Sequence, residues 1–302
     1  MFKVTIFTPT YNRSSTLKRL YISLLRQRFK DFEWLVVDDG STDDTKELIQ
    51  SFKNEGLISI NYVYQENGGK HRAINNGLNL AEGEFFFIVD SDDYLTDNSL
   101  NSVLEHSEDI AHDGQFAGVV GQRQYQDGTI ISTNMLDSVF DGTLIDRRYK
   151  FNIQGDMAKV IKTAVFRQFP FPDIKNEKFV AESLVWNRMA REYKFRYFNQ
   201  PIYITEYLVG GLSQNSIRNR IKNPEYACLI YKELARNNTV PLKYRLKAAI
   251  NYWRFALHRK HSFLKLLKDL DLPLISVVAL PVGYLLYLKD KFKDSVDISI
   301  KR

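Results

Sequence analysis

Three acidic residues fall within four positions, Asp90-Ser91-Asp92-Asp93, directly after the apolar run Phe85 to Val89. Carboxylates crowded in this way repel one another unless a cation stands between them. Hard oxygen donors suit Mg²⁺ or Mn²⁺, ions that take one or two protein carboxylates and fill the rest of their shell with water and substrate phosphates. The motif therefore points to a phosphorylated ligand. A second acidic pair, Asp38-Asp39, follows the apolar run Trp34 to Val37, and Thr8-Pro9-Thr10-Tyr11 follows Val4 to Phe7. A plainer reading makes the acids helix caps, since Asp is favoured at helix starts; two acidic clusters behind two apolar runs weigh against it. A dinucleotide site needs a glycine-rich turn after the first strand to admit the pyrophosphate. The turn from Pro9 to Arg13 has no glycine, which sets a dehydrogenase aside.

These residues share an edge only if the elements before them are neighbouring strands. Val4 to Phe7, Trp34 to Val37, Ile58 to Tyr64 and Phe85 to Val89 are short and rich in β-branched or aromatic residues, as strands are. Between them, Leu17, Leu20, Leu24 and Leu25 recur at helical spacing after Ser14-Ser15, a possible cap. A second helix follows Ser41 to Asp44 with Leu48, Ile49 and Phe52 on one face, and a third carries Ile74, Gly77, Leu78 and Ala81. The order βαβαβαβ predicts an α/β fold with a mostly parallel sheet flanked by helices, and ligands bind beyond the carboxyl ends of such strands. Farther on, a hairpin is expected at Asp127-Gly128, a helix over Ala181 to Glu192, a strand over Ile202 to Tyr207 after Pro201, and a loop from Tyr207 to Ser213.

With these residues in view, the chain resembles the family 2 glycosyltransferases of GT-A (Rossmann-like) fold, inverting enzymes that use nucleotide-sugar donors. The resemblance rests on Thr8 to Arg13, on Val36 to Asp43, on Asn67 to Gly77, and on Gly83 to Asp93 with its Asp-x-Asp motif Asp90-Ser91-Asp92. It covers residues 1 to about 100 and continues more weakly to about Asn215. It implies a glycosyltransferase domain over 1–215, with a nucleotide-sugar half (1–100) and an acceptor half (101–215), followed by a helical extension over 216–302. It further implies that Thr8 and Tyr11 line the nucleotide pocket with Tyr11 against the base, and that Asp39 reads the base edge. Asp90 would lie near the ribose and sugar, and Asp92 would hold the metal. The catalytic base comes from an acidic pair at the start of a later helix; here only Glu182 matches, within Phe179 to Trp186. Many relatives carry Ala-Arg-Asn where this chain has Ala73-Ile74-Asn75, so Lys70, His71 or Arg72 at the start of the third helix is expected to supply the missing donor-side cation, with Lys70 and His71 preferred. Trp186 is either a sugar-stacking or a core aromatic, and Gly155-Asp156 and Gly210-Gly211 fall in the acceptor half. UDP is the default nucleotide by resemblance alone, and the acceptor expected is a hydroxyl of a surface glycan, lipid-linked by family habit.

The 302 residues carry 42 Lys and Arg against 36 Asp and Glu, a net charge of +6. The excess is not uniform. The first hundred residues hold 11 basic and 15 acidic side chains, whereas Lys243 to Lys268 holds eight basic and none acidic. Within that stretch Leu246, Ile250, Trp253, Leu257, Leu264 and Leu267 form a helical stripe, the pattern of a helix on an anionic membrane surface. The uncharged stretch Leu272 to Leu288, 17 residues interrupted by Pro273, Pro281 and Gly283, is short for a span of about 20. Surface contact through 243–288, a packed helix and a span all stay open. No nucleic-acid module accompanies the basic region. A single cysteine, Cys228, and the absence of a leader before Val4 lead to the expectation of a cytoplasmic protein, at the cytoplasmic face of the membrane if the acceptor is lipid-linked. Two rival functions remain. An aspartate-nucleophile phosphatase also uses Asp-x-Asp after a strand, although usually the first strand. A noncatalytic nucleotide-sugar-binding protein would keep the fold and lack the base.

Overall fold

The computed structural model describes residues 2–206 and 216–300, with side chains to residue 292. It divides into two compact units, one of residues 1–173 and 185–209 and the other of 174–184 and 210–302. Residues 174–184 thus cluster with the second unit rather than with the residues on either side of them.

The first unit opens β1 (Val4–Thr10), α1 (Ser14–Leu25), β2 (Phe32–Asp38), α2 (Thr45–Glu55), β3 (Ser59–Tyr64), α3 (Lys70–Leu80) and β4 (Phe85–Ile88). It continues with β5 (Tyr94–Leu95), α4 (Ser99–Ser107), β6 (Phe116–Gln124), β7 (Phe140–Gly142), α5 (Leu144–Tyr149), β8 (Met157–Lys162) and α6 (Thr163–Phe166). Last come α7 (Ser183–Met189), which begins in the second unit, and β9 (Lys194–Ile204). Among the described residues these strands form one nine-stranded sheet. Its first half, β3-β2-β1-β4, is parallel. Its second half is mixed: β8 runs antiparallel to both β4 and β6, while β9 is parallel to β6.

β1 and β2 are buried at every position, as parallel strands covered on both faces require. On one face Leu17, Leu20 and Leu24 of α1 and Ile49 and Phe52 of α2 meet Ile6, Trp34 and Val36, with Tyr21 stacked on Phe52 at 4.0 Å. Each large apolar side chain buried there contributes about 2 kcal/mol. On the other face α3 lies close over β1: a Cβ on Gly77 would stand 2.1 Å from the Phe7 ring, so only glycine admits this approach. Registry pairs Thr10 with Asp38 and Phe7 with Ile88, which brings the ends of β1, β2 and β4 to one edge.

Several local expectations are corrected. Neither Ser14 nor Ser15 caps α1; Arg13 occupies that position, and Asp43 of the next loop accepts from the Ser14 amide (3.1 Å) and hydroxyl (2.8 Å) instead. The helix predicted over Ala181 to Glu192 is only Ser183–Met189. Pro201 lies inside β9 rather than before it, paired with Gln122 at a register shift, where a ladder bond is not required. The turn at Asp127-Gly128 does form, with Tyr125 N–H to Thr129 O at 2.8 Å. The expected loop from Tyr207 lies outside the described residues.

The second unit carries α8 (Ser216–Lys222), α9 (Pro224–Arg236), α10 (Leu242–Ala256), α11 (Phe263–Leu270) and α12 (Pro273–Ile300). Residues 174–184 are tied to the start of α9. Buried Glu177 accepts the amides of Glu225 and Tyr226, both at 2.8 Å, and Asn223 accepts from Lys178 at 2.8 Å. The stripe expected to face a membrane is broken at residues 257–262 and largely spent inside this unit. Trp253 is fully buried, and Leu246, Ile250 and Leu267 pack on the same cluster. Pro281 and Gly283 do not interrupt α12, which runs 28 residues.

Candidate active site

Four loops meet at the edge where β1, β2 and β4 end. The turn after β1 is latched to the turn after β2: Asn12, left-handed at φ 52°, accepts from the Thr42 amide at 2.8 Å, and its own amide donates to Ser41 at 2.9 Å. Asp38 accepts from the Ser41 amide at 2.7 Å and the Tyr62 hydroxyl at 2.7 Å, closing the turn. Asp39 fastens the loop before α3. One carboxylate oxygen accepts from Gln65 and the Gly68 amide, both at 2.8 Å; the other accepts from the Gly69 amide at 2.7 Å and Asn67 at 3.3 Å. Four donors fill the four lone-pair directions a carboxylate offers. In this structure Asp39 clamps the loop, with all four of its acceptor directions engaged within the chain.

The clamp sets the start of α3, whose first residue, Lys70, places Nζ 2.6 Å from Asp90 Oδ1. Arg13 reaches Asp92 at 3.8 Å, and Arg19 donates to the Asp92 carbonyl at 2.7 Å while pairing with Glu206. Burial, and then the charge of Asp90, raise the Asp92 carboxyl above its ordinary value. Asp93 is buried more deeply and is pushed up to about 7, by desolvation first and Asp90 second. Behind it lies Arg123, 4.0 Å from Asp93, 3.1 Å from Asp156 and stacked 4.0 Å from the Tyr203 ring centre. The Tyr203 hydroxyl in turn accepts the Asp90 amide at 2.9 Å.

The structure thus brings Tyr11, Asp39, Lys70, Asp90 and Asp92 to one edge. Tyr11 is 49% exposed, with its ring open to solvent. Two expected contacts are corrected. Thr8 is fully buried below the edge, where its hydroxyl accepts from Trp34 Nε1 at 2.9 Å, so it lines no pocket. His71 is 2% exposed, its ring edge-on to Phe171, and burial followed by the charge of Arg72 lowers its pKa to about 4. A neutral buried imidazole supplies no cation to a phosphate; Lys70 alone of that pair stands among the acids. Trp186 is core, 5.2 Å from Phe166. Glu182 belongs to the second unit, one residue before α7.

The sequence assigns no site role to Arg13, Arg19, Arg123 or Tyr203, and none to Asp93 beyond its place in the acidic cluster. Arg13 and Asp93 stand inside the motifs at the ends of β1 and β4, where their position is a signal. Arg123 and Tyr203 carry no local signal, because β6 and β9 reach the site only through the sheet order.

The donor set suits a hard cation that relies on its ligand. No group of three or more His, Cys, Asp or Glu among the described residues could hold a metal unaided. Asp92 with Asp90 supplies two carboxylates whose mutual repulsion a cation would relieve, leaving other positions for phosphate oxygens.

A parallel half-sheet bearing acids at its carboxyl edge, continued by a mixed half, is the GT-A glycosyltransferase architecture. Residues 5–170 match the family model described as glycosyl transferase family 2. The chain belongs to that family and is a glycosyltransferase. It is 27% identical over 277 residues to the Campylobacter jejuni GalNAc(5)-diNAcBac-PP-undecaprenol beta-1,3-glucosyltransferase, covering 85% of this chain and 82% of that protein. The solved structure of Staphylococcus aureus TarS 1–349 with UDP-GlcNAc superposes with a TM-score of 0.65 at 19% identity, over 95% of this chain and 89% of that one. Of full-length TarS, the poly(ribitol-phosphate) beta-N-acetylglucosaminyltransferase, the chain matches only 20%, at 35% identity over 116 residues. The mannosyltransferase PcManGT of Pyrobaculum calidifontis, solved with GDP-Man and Mn²⁺, gives a TM-score of 0.57 at 17% identity, over 96% of this chain and 88% of that chain. The structural likenesses establish the fold.

Proposed function

We propose that the protein transfers a sugar, with inversion, from a nucleoside-diphosphate donor to a hydroxyl of a lipid-linked glycan at the cytoplasmic face of the membrane. The observation that carries this reading is the gathering of Tyr11, Lys70, Asp90 and Asp92 at one strand edge in a family 2 chain. The Tyr11 ring offers a face for the base, and Lys70 exchanges Asp90 for donor phosphate or sugar when the nucleotide enters. A Mg²⁺ or Mn²⁺ ion held by Asp92 would neutralise charge on the departing diphosphate. Glu182 accepts the acceptor hydroxyl's proton while the oxygen bonds to the anomeric carbon and the bond from that carbon to the diphosphate breaks. The latched turns and the Asp39 clamp hold their groups in place before the donor arrives, so little ordering is left for the binding step. The undecaprenol-linked glycan for which the Campylobacter relative is named supports a lipid-linked acceptor, and the UDP-GlcNAc complex of TarS supports UDP as the first nucleotide to test.

The decisive measurement is UDP binding with and without Mn²⁺. Binding should require the ion and be lost in Asp92→Asn; metal-independent binding that the variant retains would overturn the site. Glu182→Gln should keep donor binding and lose turnover, which separates an enzyme from a noncatalytic sugar-nucleotide binder. Phosphate trapped covalently on Asp90 would instead establish the phosphatase.

A further inference from the structure

One face of α12 is apolar and uncovered by the described chain. Leu274, Val277, Val278, Leu285, Leu288 and Phe292 are all exposed, Leu274 by 86% and Phe292 by 77%. At 100° per residue these six fall within a sector of about 100°. From Leu274 to Phe292 the face is about 27 Å long. Pro273–Phe292 is the one segment among the described residues long and apolar enough to cross a membrane by length and composition.

The opposite side of the helix is fixed to α10. Ser276, Ala279 and Asp290 are buried there, and a Cβ on Gly283 would stand 2.6 Å from the Trp253 Cβ. Arg254 grips Asp290 with two bonds of 2.6 Å. A helix crossing the bilayer in this packing would draw α10, with Lys243, Lys247 and Arg254, into hydrocarbon, where such charges are expensive. A helix lying flat leaves those charges at the headgroups.

Charge selects the occupant. Residues 243–291 contain ten Lys or Arg and three Asp, and each of the three acids is already paired. Asp269 binds Lys232 and Arg259, Asp271 binds Arg236, and Asp290 binds Arg254. The surplus in this stretch is cationic: Lys289 on α12 itself, and Lys243, Lys260 and Lys268 on or beside α10 and α11, form no ion pair among the described residues. A second copy would present the same sign and be repelled, whereas anionic lipid attracts it.

We propose that α12 lies in the plane of an anionic phospholipid bilayer with its Leu274 to Phe292 face in the acyl boundary. This deepens the acceptor reading above, because it holds the enzyme where a lipid-linked acceptor is found, but the binding itself needs no turnover. The test is flotation of the full chain, without donor, on phosphatidylcholine vesicles with and without about 30% phosphatidylglycerol. The chain should float on the anionic vesicles, float less at high salt, and be released by alkaline carbonate. Val278→Glu with Leu285→Glu alters two exposed positions and should cut partitioning at least about tenfold at an unchanged Tm, while Leu57→Glu in the first unit should not. Failure of the unmodified chain to float, equal flotation of the double variant, or retention after carbonate would overturn the proposal. So would a vesicle-free dimer that the double variant dissociates, since the face would then join two copies. Because UDP binding is measured separately, loss of either reading leaves the other standing.

Discussion

Replacing Asp39 by Asn keeps the side-chain shape and removes half of what the carboxylate does. The amide oxygen can still accept from Gln65 and Gly68, the two bonds of 2.8 Å made by Oδ1. The new NH₂ group then stands where Oδ2 stood, facing the Gly69 amide at 2.7 Å and Asn67 at 3.3 Å, so donor meets donor. Because Asp39 is buried, water cannot relieve the conflict. A buried donor left unsatisfied costs about 1–3 kcal/mol, and a bond to a charged acceptor is worth about 1.5–3 kcal/mol. A loss of about 3 kcal/mol from the first unit follows, against about 1 kcal/mol for a typical single substitution. Urea unfolding followed by tryptophan emission, to which Trp34 and Trp186 of the first unit and Trp253 of the second contribute, reads it. Nucleotide affinity should also fall, since the loop that presents Lys70 loosens, but by the same factor for UDP and GDP. If stability stays within about 0.5 kcal/mol of the parent while the UDP to GDP preference changes, Asp39 reads the base and the clamp argument fails.

The remaining predictions concern three other positions. His71 has a native pKa of about 4 against 6.5 unfolded, so its contribution is present above pH 6.5 and lost as pH falls toward 4, by at most about 3 kcal/mol. His71→Gln should flatten that part of the stability profile, and an unchanged acid limb would show that another group carries it. Arg123→Met leaves Asp156 and buried Asp93 without their shared cation and should cost about 3 kcal/mol in urea unfolding at neutral pH. Gly77→Ala gains about 1 kcal/mol of helix propensity but drives a methyl to 2.1 Å from the Phe7 ring, and overpacking of about 1–3 kcal/mol should win, lowering Tm.

What the sequence reveals and what it hides divide along a physical line. The parallel half is legible because each strand there is followed at once by its own polar turn, so the apolar run and the chemistry it positions are neighbours in the chain. Phe85 to Asp93 contains both the strand and the acids. Where a residue's role depends on which way its side chain turns, the same text misleads. Thr8 and Thr10 alternate with Phe7 and Pro9, and only the packing of α1 and α2 shows that Thr8 faces Trp34. His71 follows Lys70 by one step, yet 100° of helical rotation takes the first into the core and leaves the second among the carboxylates. Arg123 illustrates a third case. Its partners Asp93, Asp156 and Tyr203 lie 30, 33 and 80 residues away, and only the sheet order and pairing of β6, β8 and β9 make them adjacent. The basic C-terminal region fails differently again. Its hydrophobic period marks amphipathic helices, but a stripe of Trp253 type and one of Leu285 type look the same until a neighbouring helix takes one of them. Gly283 and Asp290 decide that choice, by letting α12 cover Trp253 and leaving Leu274 to Phe292 outside.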